Sequence, residues 1–217
     1  EGTARLFIAD AQSDKEIIER KAADQMSMFA SDPEWKTVDG YESLILEHHM
    51  AASRFSFSGL YAPLNEVDAF SNALRQGEIP EIKFLAKVVA PLIKAYKADD
   101  MFEITKYIRQ NSPLLSKKMF DLHPELQQKM LERAEEATEK LFALWKDDAC
   151  PSCIEVLCNI RSTGLFDTSE RVGDIVDDSY SGEDEKVLAL KAALSVRFNE
   201  MERYAAYVSD QTRFATH

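Results

Sequence analysis

The chain has 217 residues, 45% of them hydrophobic, with a mean hydropathy of −0.32 and a formal net charge of −12. A chain this long buries roughly 70% of its unfolded surface, so it folds without disulfides or metal. Its acidity excludes a protein that grips nucleic acid over its whole surface and leaves room only for local contacts.

The chain begins Glu1-Gly-Thr-Ala-Arg-Leu-Phe-Ile-Ala-Asp, without an initiator Met, and ends Thr-Arg-Phe-Ala-Thr-His217. Residues 5–9 and 212–216 read as short β-runs, whereas nearly everything between them reads as helix. The expected fold is therefore mainly α, an irregular multi-helix bundle with short β-strand stubs at both termini. Residues 1–12 and 210–217 are the stubs and 13–209 the helical body, as in an insertion cut from a larger α/β protein.

Ser13-Asp14-Lys15-Glu16 has capping-box form and opens a helix expected over about 13–29, stopped near Ser31-Asp32-Pro33. A second helix is expected over about 41–55 and a third over about 64–75, ended by Gly77. Pro80 fits the first turn of the next helix, where its missing N–H costs nothing. Ile82, Leu85, Val88, Val89, Leu92, Ile93 and Tyr96 then mark one buried stripe, and Pro91 inside it predicts a kink near 87–89. Shorter helices follow over 101–109 and 113–120. Pro124 opens a long one to about 145, with Leu126, Met130, Leu131, Ala134, Ala137, Leu141 and Leu144 facing inward. A helix over 153–161 ends at Gly164. Residues 174–185 are acidic and small and are expected to form a flexible surface loop. One last helix is expected over about 185–209. No internal repeat recurs at a fixed period, which argues against a solenoid.

Few patterns in the chain carry chemistry. Cys150-Pro151-Ser152-Cys153 has the spacing of a redox dithiol, whose first thiol is acidified at a helix N-terminus. The strand that such folds place before the motif is missing, so a helix cap with small buried thiols is the plainer reading. With Cys158 the chain has only three cysteines, neither a disulfide framework nor a four-ligand zinc site, which suits a reducing cytoplasm. Glu47-His48-His49 offers three ligand types, but neighbours on a helix point about 100° apart and cannot hold one ion together. No phosphate-binding glycine loop and no nucleophile–base set stands out. No run approaches the roughly 20 apolar residues that span a bilayer, and the first residues are not a signal peptide.

Leu44-Ile-Leu-Glu-His-His-Met-Ala-Ala-Ser-Arg-Phe-Ser-Phe57 resembles a recurring stretch of bacterial UvrD-like superfamily 1 DNA helicases. Asn111-Ser-Pro-Leu-Leu-Ser116 and Thr163-Gly-Leu-Phe-Asp167 resemble further landmarks of that branch, in the same order, and 204–217 resembles the approach to its motif V. In such helicases a His at the place of His217 precedes a Lys-Gly-Leu-Glu-Phe run. The resemblance implies the accessory insertion of the second motor domain, between motifs IV and V. ATP and Mg would then belong to the parent motor, and the chain would hold no cofactor and hydrolyse no ATP itself. DNA would be bound mainly by the parent, and only His217, with Thr216, matches positions linked to the DNA strand. Two departures stand out. The Gly-Ile-Gly hairpin that grips duplex in better-known members is missing, and Ala215 replaces the Thr usual two residues before the His.

The leading expectation is thus an accessory, regulatory subdomain of an ATP-dependent 3′-to-5′ DNA helicase in the cytoplasm. A helical protein-interaction module is the alternative, with the acidic loop and Met26-Ser27-Met28 as possible partner surfaces. For the methionines, ordinary core filling is the plainer reading. A thiol redox protein built on Cys150 and Cys153 is the lesser alternative.

Overall fold

Helix-forming residues dominate the chain, and glycines, prolines and capping side chains mark several of the helix ends. The computed structural model describes residues 4–10, 15–37, 48–116, 124–177, 180 and 182–209. The fold is mainly α. It divides into two units, one taking residues 1–54 with 210–217 and the other residues 55–209.

In the first unit, α1 (Lys15–Ala30) is followed by a 3₁₀ turn at Pro33–Lys36. Asp32 caps that turn by accepting from the Glu34 N–H at 2.9 Å. The Arg5 guanidinium lies 3.2 Å from the centroid of the Phe29 ring, a cation–π contact. The short helix α2 (His48–Arg54) completes the described part, and its Arg54 pairs with Glu19 of α1. Residues 5–9, expected as a strand stub, form neither strand nor helix. A strand needs a partner edge for its N–H and C=O groups, and none lies among the described residues. Leu6 and Ile8 are 85% and 88% exposed. Met28 is exposed rather than filling the core, while Met26 is half-buried. The second expected stub, 212–216, lies outside the described residues, as does Ser13 of the expected capping box.

The second unit opens with α3 (Ser58–Asn65) and α4 (Ser71–Gln76), where a single helix over 64–75 was expected. Gly59 and Pro63 make 58–65 look like a loop in sequence, but the body of the protein buries Leu60, Tyr61 and Leu64 on this helix. Gly77 ends α4 in the left-handed region at φ +67, and a Cβ there would sit 2.7 Å from Val208 Cγ1, so the turn and the close approach both require glycine. A continuous rod follows: α5 (Pro80–Phe84), a π-turn at Leu85–Val89 and α6 (Ala90–Lys97). The widened turn answers Pro91, whose ring clashes with the carbonyl four residues back in a regular helix. The irregularity expected at 87–89 is this π-turn. Glu81 is buried at the start of the rod, with Oε1 3.5 Å from Arg171 Nη1 and accepting from the Ser169 hydroxyl at 3.5 Å.

Asp100 caps α7 (Met101–Asn111) by accepting from the Glu103 N–H at 3.0 Å. Next come a 3₁₀ turn at Pro124–Leu126 and the long α8 (Gln127–Ala143), whose Phe142 stacks on Tyr96 of α6 at 4.1 Å. Ala134, Ala137 and Leu141 face inward as the periodicity predicts, but Leu126 and Leu131 are 38% and 52% exposed. The apolar stripe of α8 is broader than the surface that covers it. The remaining helices are α9 (Cys153–Thr163), α10 (Glu170–Val176), α11 (Glu185–Leu194) and α12 (Phe198–Ser209). Asp174 therefore lies in a helix, with Ile175 beside it fully buried, and the acidic segment outside helices starts only at Asp177. The expected last helix over 185–209 is broken at 195–197.

Candidate functional site

The first and last segments of the second unit are locked to each other. Phe57, fully buried, holds its ring 5.7 Å from Tyr204 edge-on and 5.2 Å from Tyr207, and Phe55 lies 6.0 Å from Tyr207. Aromatic pairs at such separations contribute roughly 0.5–1.5 kcal/mol each beyond the area they bury. Polar contacts add direction. The Leu60 N–H, at the start of α3, donates to Glu200 Oε1 at 3.0 Å, so a carboxylate sits where the helix dipole is positive. Gly59 leaves the room for it: a Cβ there would fall 2.9 Å from the same oxygen and 2.9 Å from Val196 Cγ1. Ser56 turns through the left-handed region at φ +56, and its carbonyl accepts from Arg203 Nη1 at 3.2 Å. The Tyr204 hydroxyl donates to the Leu74 carbonyl at the end of α4, and burial drives the Tyr204 phenol far above its usual range. This cluster joins 55–60 to 200–207.

A second lock explains the break between α11 and α12. The Cys153 N–H donates to the Val196 carbonyl at 3.0 Å and the Phe198 N–H to the Pro151 carbonyl at 2.8 Å, an antiparallel bridge of Ser152 with Arg197. Arg197 Nη1 adds a bond to the Cys150 carbonyl at 3.0 Å. The backbone at 196–198 is thus taken from the helix by the segment 150–153. Ser152 and Glu155 complete a capping box on α9: Ser152 Oγ accepts from the Glu155 N–H at 3.2 Å, and the Ser152 N–H donates to Glu155 Oε2 at 2.6 Å. That backbone bond holds the Glu155 carboxyl below the usual range. Cys153 is fully buried, and burial first, then Cys150, Glu200 and Glu202, push its thiol far above the usual range. The cysteine motif is a structural joint, in line with the plainer sequence reading. Cys150, the other thiol of the motif, is half-buried.

The residues singled out by the resemblance fall in several places. Ser112, in 111–116, is buried where α7 gives way to a 3₁₀ turn, and Gly164 is the left-handed cap of α9 with Leu165 and Phe166 buried behind it. Tyr204 and Tyr207 belong to the aromatic lock. Thr216 and His217 lie outside the described residues, as does Glu47. His48 is half-buried and His49 exposed at the start of α2, and no group of three metal-ligating side chains occurs among the described residues. No described helix is long and apolar enough to cross a membrane. The sequence reading missed both locks. Ser152 and Glu155 carried a capping-box signal that locates one of them, whereas the pairing of Gly59 with Glu200 has no local signature.

No family model matches the chain, and neither a curated protein nor a solved structure was found that matches it.

Proposed function

We propose that the chain is the helical accessory insertion of a UvrD-like superfamily 1 DNA helicase, the element between motifs IV and V of its second motor domain. One observation supports this reading above the others: 55–60 and 200–207 are locked side by side by Phe57, Glu200, Arg203, Tyr204 and Tyr207. A body inserted into a host fold needs its two connections to arise at one place, and this cluster provides that place. The body then swings as one piece against the motor and opens or closes the DNA channel. The motor supplies ATP, Mg and most phosphate contacts, which fits a chain of charge −12. Thr216 and His217 approach the DNA strand, and the protein works in the cytoplasm.

The test is the message that encodes the chain. A Walker loop upstream and Lys-Gly-Leu-Glu-Phe directly after His217 are the expected result, and a stop codon at that point overturns the proposal. The purified chain is expected to hydrolyse no ATP, and turnover by it would equally defeat the reading. A free-standing interaction module is the second reading, favoured by the exposed Leu6, Ile8 and Met28 of the first unit.

A further inference from the structure

We draw no further inference here: the strongest candidate, the exposed apolar run Leu6-Phe7-Ile8 ahead of α1 in the first unit, carries nothing because nothing in the structure shows what covers it.

Discussion

Replacing Glu200 by Ala removes the carboxylate that receives the Leu60 N–H at the start of α3. A hydrogen bond to a charged acceptor contributes about 1.5–3 kcal/mol, and a negative charge at a helix N-terminus about 0.3–1 kcal/mol. The two overlap, and Glu200 is only half-buried, so the expected loss is about 2 kcal/mol. At this chain length that lowers the melting temperature by about 4–8 °C. Gly59→Ala reaches the same contact from the other side. Its new Cβ would stand 2.9 Å from Glu200 Oε1 and from Val196 Cγ1, so the carboxylate must leave its position. The loss is then close to that of Glu200→Ala, less the better helix propensity of Ala. Combined in one chain the two changes are expected to cost less than their sum, because both destroy the Glu200 contact and Gly59→Ala adds only its crowding of Val196. Thermal and urea melts followed by circular dichroism give the full double-mutant cycle. Additivity within about 0.5 kcal/mol would refute the reasoning, since it would mean that Gly59 and Glu200 act independently.

Tyr204→Phe removes the hydroxyl bound to the Leu74 carbonyl and is expected to cost about 1 kcal/mol in urea melts. The phenols of Tyr61, Tyr204 and Tyr207 and the thiol of Cys153 are all raised by burial. Groups raised in the folded state lend stability that is whole below their ordinary values, 9.0 for the thiol and 10.0 for the phenols, and lost as the pH climbs through the folded ones. The melting temperature should therefore hold from neutral pH to that range and fall above it, less steeply in Tyr204→Phe, and a flat profile there would contradict the assignment. Cys153 should resist a thiol reagent in the native protein and react once urea unfolds it; equal rates in the two states would show that the 150–153 joint opens readily.

Most helix ends were legible from single residues. Gly77 and Gly164 stop helices because only glycine takes the left-handed turn at no steric cost, and Pro91 forced an irregular turn where its ring required one. Ser58–Asn65 was not legible, since Gly59 and Pro63 argue locally for a loop and only the burial of Leu60, Tyr61 and Leu64 settles the helix. The break at 195–197 was hidden as well, because no glycine or proline marks it. The strand stub at 5–9 failed for the converse reason: β-propensity acts only when a neighbouring strand satisfies the backbone.

The sequence by itself determined the class of the fold, the glycine stops at Gly77 and Gly164 and the acidity, all of which depend on a residue and its near neighbours. Tertiary structure alone decided which backbone Pro151 to Cys153 would capture and that Gly59 would make room for Glu200. Those outcomes join residues far apart in the chain. No short-range pattern encodes such a pairing, because its free energy appears only when packing brings both partners out of water together.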